Sequence, residues 1–213
     1  MRIRTLTVGP FQENCYLLAD DDTREAVLID PGDEGARLIN AVEAGGFTLR
    51  ALWITHGHID HVGGIAAVKR RWDVPVYLHP ADRPLYDRTV EQGVQFGVRV
   101  EAPPAPDHDL AEGDVMTIGG LSFDVIHVPG HAPGHVAFVG HGVVFGGDCL
   151  FAGSIGRTDL PLCDPRAMQR SLERFAALPS ETVVYPGHGP ATTVGEENRS
   201  NPFLTGAARP VSR

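Results

Sequence analysis

The chain has 213 residues, of which 42% are hydrophobic, and a formal net charge of −9 at pH 7. That length allows one large domain with a sizeable core, and no stretch approaches the roughly 20 consecutive apolar residues that cross a membrane. The negative charge argues against a nucleic-acid-binding surface. The first residues contain no apolar segment of a secretory signal, and the three cysteines lack CxxC spacing. We therefore predict a cytoplasmic protein with reduced cysteines.

Ten short segments have the composition of β-strands, and several are halted by Gly, Pro or Asp. In chain order they are residues 2–8, 14–19, 25–30, 49–55, 75–79, 114–118, 121–128, 135–139, 142–146 and 182–185. Residues 80–113 are rich in Pro, Gly and charge, so we predict short helices and loops there. No linker or low-complexity run divides the chain, which favours a single domain over residues 1–213.

Three helices are predicted between these strands. Asp33 is expected to cap the first helix, which would end at Gly45, and Asp164 followed by Pro165 is a typical start of the third. Their apolar faces, in chain order, are Ala36, Ile39 and Val42; Ile65, Val68 and Trp72; and Met168, Leu172, Phe175 and Ala176.

A dense group of potential metal ligands follows the fourth strand, in the sequence "WITHGHIDHVGG" at residues 53–64. His56, His58, Asp60 and His61 fall within six positions. Alternation along an extended chain would place the first three on one side, with nothing apolar between them. Burying such groups without partners is costly, whereas one metal ion satisfies them together. The stretch therefore predicts a metal site.

The same pattern recurs at three later strands, where an apolar run ends in Gly or Pro-Gly and then a potential ligand. His131 follows Pro129-Gly130, Asp148 follows Gly146-Gly147, and His188 follows Pro186-Gly187. If these strands share a direction, their ends bring the ligands to one edge of the sheets.

The set HxHxDH followed by a distant His, Asp and His resembles the metallo-β-lactamase superfamily. Within it, the blocks "FQENCYLL", "VPGHAPGHV" and "GDCLFAGSIGRTDLP" are most similar to the glyoxalase II branch, in particular its short bacterial members. The resemblance implies an α/β (α+β) fold, a four-layer αββα sandwich in which two mixed sheets lie face to face. It also implies hydrolysis of S-acylglutathione thioesters, typically S-lactoylglutathione. Too few residues follow His188 for the helical C-terminal domain that contacts glutathione in full-length glyoxalase II.

The resemblance also implies the roles of individual residues. One metal would be held by His56, His58 and His131, the second by Asp60, His61 and His188, and Asp148 would bridge both. Asp60 and Asp148 are the implied catalytic carboxylates. The mixed His and Asp set suits two divalent ions, with zinc expected and iron or manganese also accepted.

Three further residues have implied roles around the metal ligands. Asp30, in "LIDPG", matches a position that supports the ligands from behind. Arg157 falls where glyoxalase II has a basic residue that binds glutathione, while Asp159 takes the place of a substrate-binding aromatic residue. His135 matches a structural position, not a ligand.

The ligand set has its own chemistry. Two metals a few Å apart can generate hydroxide near neutral pH and polarise a carbonyl. A thioester leaves as a thiolate with a reference pKa near 8.5, so it needs no dedicated general acid. We therefore expect a small-molecule thioester of the glutathione type as substrate.

Other functions are compatible with the sequence. "GRTD" at residues 156–159 also resembles glutathione persulfide dioxygenases, in which His58, His131 and Asp148 would hold a single iron with positions open for oxygen. β-Lactam hydrolysis and a metal-binding module without turnover are further alternatives. Metal analysis followed by turnover of S-lactoylglutathione distinguishes them.

Overall fold

Two six-stranded β-sheets form the centre of the computed structural model, which describes residues 1–211. The first sheet contains β1 (Arg2–Val8), β2 (Glu13–Ala19), β3 (Glu25–Ile29), β4 (Thr48–Trp53), β5 (Val76–Leu78) and β6 (His108–Asp109), in that order. The later strands are β7 (Val115–Ile118), β8 (Leu121–His127), β9 (Val136–Gly140), β10 (Val143–Gly147), β11 (Leu150–Phe151), β12 (Ser154–Ile155), β13 (Val183–Pro186) and β14 (Thr192–Thr193). The second sheet has the order β14-β13-β10-β9-β8-β7, and β11 and β12 form a separate ribbon.

The helices occupy the connections between strands. They are α1 (Gly35–Ala44), α2 (Ile59–Val62), α3 (Ile65–Arg71), α4 (Arg83–Tyr86), α5 (Thr89–Phe96), α6 (Pro165–Ala176) and α7 (Val194–Ser200), with a 3₁₀ turn at Pro80–Asp82. The prediction of short helices and loop over residues 80–113 is confirmed apart from the two-residue strand β6.

Alternating side chains of the central strands enter two different layers of the core. In β2, Cys15 and Leu17 pack with the residues of α1 and α3, whereas Tyr16 and Leu18 face the second sheet. In β10, Phe145 faces the first sheet, and Val144 packs in a third cluster with α6. Because these strands are buried on both faces, they appear in the sequence as continuous apolar runs. The predicted four-layer αββα sandwich is confirmed.

The details of two predicted helices were wrong. Asp33 does not cap α1: Glu34 precedes the helix with a left-handed φ of 48°, and the Asp33 carboxylate accepts a hydrogen bond from the Glu34 N–H. Because α1 begins after Glu34, the face of α1 that is buried also differs from the predicted one. The residues of α1 that are buried are Leu38, Ala41 and Val42, while Ala36 is exposed and Ile39 half-buried. Trp72 lies just beyond α3 in extended conformation, although it still packs against the core.

Strand and helix ends also differ from the predictions at several points. β4 ends at Trp53, two residues earlier than expected, because the chain turns into the His-rich loop there. The sequence did not predict five short elements, which are strands β6, β11, β12 and β14 and helix α7. They are two to seven residues long, too short for periodicity to indicate them.

Asp164 caps α6 as predicted, since its carboxylate accepts hydrogen bonds from the N–H groups of Arg166 at 2.8 Å and Ala167 at 3.0 Å. Asp164→Ala should lower the free energy of unfolding by about 1 kcal/mol, or the Tm by about 2–4 °C. Urea unfolding measures the change. Asp164→Asn is the matched control, because asparagine caps equally well, and an equal loss in both variants would contradict the capping role.

Candidate metal centre

The ends of four strands bring the predicted ligands together. β8 and β10 are both antiparallel to β9, and β10 is parallel to β13, so these three strands run in one direction. Their ends deliver His131, Asp148 and His188 to one edge of the sheet. From the first sheet, the loop after β4 carries His56 and His58 to the same place. The convergence expected from the strand-end pattern is thus present in the fold.

Three imidazole rings form the first group of potential ligands. The Nδ1 of His58 lies 2.8 Å from the Nε2 of His131, and the ring of His56 lies 4.9 Å from that of His58 between centroids. Burial lowers the pKa of all three, to about 3 for His58, and the neighbouring rings add to the effect at His56 and His58. These rings are therefore neutral near pH 7, with lone pairs available to a cation.

A second group combines Asp60 with His61 and His188. The Nε2 of His188 is 3.2 Å from Asp60 Oδ2, and the Nε2 of His61 is 3.9 Å from the same oxygen. Burial lowers the pKa of His61, but the carboxylates of Asp60, Asp148 and Asp30 outweigh it and raise that pKa above its usual value.

Asp148 lies between the two groups. Its Oδ1 is 3.4 Å from His61 Nε2, and its Oδ2 is 3.5 Å from His131 Nε2 and 3.6 Å from His188 Nε2. Burial raises the pKa of its carboxyl, yet the surrounding rings, His61 above all, bring the pKa below its usual value. Asp148 is therefore an anion in contact with both groups.

The donor atoms fit a metal ion. Within residues 1–211, His56 Nε2, His61 Nε2 and Asp148 Oδ1 are buried side-chain atoms without a hydrogen-bond partner. Leaving such atoms unsatisfied is costly, and a cation at their centre satisfies them at once. Imidazole with carboxylate is a donor set that zinc, iron and manganese all accept.

Outer contacts hold several of these rings in place. Asp30, which is buried, accepts hydrogen bonds from the Thr55 N–H at 2.7 Å and the Thr55 hydroxyl at 2.6 Å, and its Oδ2 is 3.0 Å from His61 Nδ1. His131 Nδ1 lies 2.8 Å from the carbonyl oxygen of Arg157. A contact on the far nitrogen directs the other nitrogen of each ring toward the centre.

His135 is buried behind the centre. Its Nε2 accepts a hydrogen bond from the Asp148 N–H at 2.9 Å, and its ring stacks on that of His56 at 4.8 Å. On the other side of Asp148, the chain needs glycine at position 187, because a Cβ on Gly187 would collide with the Asp148 carboxylate.

Two buried carboxyl groups near the centre were missed by the sequence analysis. Asp82 accepts hydrogen bonds from the N–H groups of Gly57, at 2.9 Å, and Gly134, and so ties the His56 loop to the His131 loop. Glu13 in β2 lies 3.9 Å from His61 Nδ1. Neither has a distinctive signal, since Asp82 follows Pro80 in an ordinary turn and Glu13 lies in a strand pattern.

A cleft of about 270 Å³ opens beside the two groups of ligands. His58, Asp60, His131, Asp148 and His188 border it on one side. Its other walls are mostly apolar side chains, and Gln92 and Arg157 are the remaining polar residues among the described ones that line it. A ligand in this cleft would touch the candidate metal centre directly.

Residues 8–188 match the sequence profile of the metallo-β-lactamase superfamily. The chain belongs to the metallo-β-lactamase superfamily. It is 39% identical over 209 residues to the hydroxyacylglutathione hydrolase GloC of Haemophilus influenzae, covering 96% of this chain and 98% of that protein.

Two solved structures of the superfamily are similar over most of the chain. TTHA1623 in a di-iron-bound form has a TM-score of 0.88 and 48% identity, covering 94% of this chain and all of that one. BLEG-1 B3 metallo-β-lactamase has a TM-score of 0.90 and 38% identity, covering 96% of this chain and all of that one. This chain is thus a metallo-hydrolase of the superfamily with a His/Asp cluster suited to metal.

No helix over residues 1–211 is long and apolar enough to cross a membrane.

Proposed function

We propose that the protein is a binuclear thioesterase of the glyoxalase II type, which cleaves S-lactoylglutathione or related acyl thioesters. His56, His58 and His131 would hold one divalent ion, and Asp60, His61 and His188 the second. The observation that carries the proposal is the position of Asp148, within 3.6 Å of rings from both groups. One carboxylate so placed can bridge two ions. Zinc is the proposed metal, with iron or manganese as substitutes.

The chain's own residues would orient and confine the reaction. Bound ions there would lower the pKa of water and polarise the thioester carbonyl. The water oxygen attacks the carbonyl carbon, the C–S bond breaks, and the thiolate leaves with its electron pair. Asp60 borders the cleft and can accept the proton that the water loses, whereas Asp148, whose pKa is held below its usual value, would stay an anion and orient the water. Asp30 would keep the ring of His61 in its orientation throughout.

A thioester suits this cleft better than a substrate with a basic leaving group. Outside the ligand cluster, its polar lining within the described chain is Gln92 and Arg157, and neither is an acid near pH 7. A thiolate needs no proton to leave, because its reference pKa is near 8.5. The name of the Haemophilus influenzae relative supports the same reaction class.

Turnover of purified protein tests the proposal. Metal is measured in protein prepared without added metal, and hydrolysis is followed with S-lactoylglutathione and, separately, a β-lactam. We expect about two ions per chain and thioester cleavage, with little β-lactam cleavage. Metal-loaded protein that cleaves β-lactams but no thioester would overturn the proposal.

A second candidate is a glutathione persulfide dioxygenase with a single iron. The contacts of His131 with His58 at 2.8 Å and with Asp148 at 3.5 Å favour a two-His, one-carboxylate site. Iron-loaded protein that consumes oxygen with glutathione persulfide, and hydrolyses no thioester, would establish this alternative.

The cytoplasmic location, the single-domain organisation and the absence of a nucleic-acid partner stay predictions.

A further inference from the structure

The cleft beside the candidate metal centre offers mainly apolar surface to a substrate. Ile59 is buried at its base, and the exposed ring of Phe96 meets that of Phe11 edge to face at 5.5 Å. The remaining apolar lining residues, Phe151, Ile155 and Leu160, are half-buried. Partly exposed apolar walls around a reactive centre are typical of a site that binds an apolar group.

The guanidinium of Arg157 already has a carboxylate partner. Its Nε and one terminal nitrogen each donate a hydrogen bond of 2.8 Å to the two oxygens of Asp159. This two-bond geometry is the one with which arginine would hold a carboxylate of a ligand. A glutathione carboxylate can use these two donors only after Asp159 moves aside, and with Asp159 in place it meets a guanidinium whose charge is already compensated.

Gln92, the other polar wall of the cleft, is similarly engaged. Its amide nitrogen donates to the Leu85 carbonyl at 2.8 Å, and its amide oxygen accepts from the Ile59 N–H at 3.1 Å. A second cleft of about 240 Å³ adjoins the first and shares Gln92 and Phe96 with it. Its arginine, Arg88, is bonded to Glu91 at 2.6 Å. Both arginines that line the two clefts are thus paired with a carboxylate of the protein.

We propose that Asp159 masks Arg157, so that the cleft selects thioesters by an apolar group and discriminates against the carboxylates of glutathione. The proposal rests on the thioesterase function proposed above and names its preferred substrates: acyl thioesters of uncharged, apolar thiols. Asp159 is then a specificity-determining residue. Because the pair is exposed, it is weak, and the masking amounts to a factor of about five or less in binding.

The test compares two lactoyl thioesters that differ only in the thiol, glutathione and butanethiol. We define the carrier ratio as kcat/KM for the glutathione ester divided by kcat/KM for the butanethiol ester. Each variant's ratio is divided by that of the wild type, because butanethiol is the weaker acid and its ester is intrinsically less reactive. Asp159→Asn should raise the ratio about fivefold, because it releases the guanidinium. Arg157→Met alone should change it less than twofold, and in the Asp159→Asn background it should abolish the gain.

Asp109→Asn is the matched control. Asp109 pairs with Arg83 at 2.8 Å, and neither residue lines the two clefts. The carrier ratio of Asp109→Asn should equal that of the wild type. A fivefold fall with Arg157→Met alone would overturn the masking proposal and assign Arg157 to glutathione directly.

A binding measurement separates this proposal from the thioesterase function itself. S-Butylglutathione is a thioether and is not hydrolysed, so its Kd can be measured by calorimetry whether or not the protein cleaves thioesters. Asp159→Asn should tighten this Kd about fivefold, and Asp109→Asn should leave it unchanged. An unchanged Kd in Asp159→Asn overturns the masking proposal. Absence of thioester turnover alongside the tighter Kd would overturn only the thioesterase function.

Discussion

Removal of bound divalent ions with a chelator is expected to lower the Tm by about 5–10 °C for each site emptied. A ligand present at 100 times its Kd stabilises the folded state by about 2.7 kcal/mol, and 1 kcal/mol corresponds to about 2–4 °C in a chain of this size. The physical reason is that His56 Nε2, His61 Nε2 and Asp148 Oδ1 are buried without other partners within residues 1–211. Differential scanning calorimetry before and after chelation measures the shift.

Re-addition of zinc should restore the Tm, which shows that the loss is not irreversible damage. The same chelation applied to Asp148→Ala should produce a much smaller shift, because that variant holds less metal at the outset. An unchanged Tm in wild-type protein, after elemental analysis has verified metal removal, would contradict a metal centre built from these residues.

Asp148→Ala is expected to reduce the metal content at both positions and to lower thioester turnover by at least about a hundredfold. Loss of a residue that merely supports a ligand costs about 10- to 100-fold in affinity or activity, and Asp148 contacts rings of both groups. His188→Ala should preferentially empty one position, because its Nε2 faces Asp60 and Asp148 on one side of the centre. Metal per chain and kcat/KM are measured for both variants.

Asp73→Ala is the control for removal of a carboxylate, since Asp73 is 99% exposed and pairs only with Lys69 among the ion pairs of the described chain. It should keep both metal content and turnover. Full occupancy of both positions in Asp148→Ala would show that this carboxylate does not bridge, and the two groups would then be independent sites.

The seven potential ligands were evident from the sequence because they follow four apolar runs that have the composition of strands. Four of the ligands lie together after the first of these runs, and one follows each of the other three. Strand direction and sheet order are then sufficient to bring His131, Asp148 and His188 to one edge. Core packing on both faces of the central strands was also predictable, since the apolar runs of β2, β3 and β10 indicate strands buried on both sides.

Local backbone geometry was harder to predict. Aspartate is a residue type that commonly caps helices, so Asp33 was predicted to cap α1. The left-handed backbone of Glu34 instead moves the start of α1 and changes which of its residues are buried. Short elements such as the ribbon of β11 and β12 have too few residues for a period to be visible, and they form because neighbouring segments pair with them or pack over them.

The sequence by itself indicated the candidate metal centre of this protein, because strand ends and the residues that follow them are local properties of the chain. It indicated the layer architecture through the resemblance of its motifs to the metallo-β-lactamase superfamily. Only the tertiary structure decided what surrounds that centre. Asp82 joins two loops that are distant in sequence, and the apolar cleft is assembled from separate segments that include Phe11, Phe96 and Phe151. The pairing of Arg157 with Asp159 depends on side-chain geometry. An arginine at position 157 predicts binding of a ligand's carboxylate, but in the structure its guanidinium is bonded to the carboxylate of Asp159.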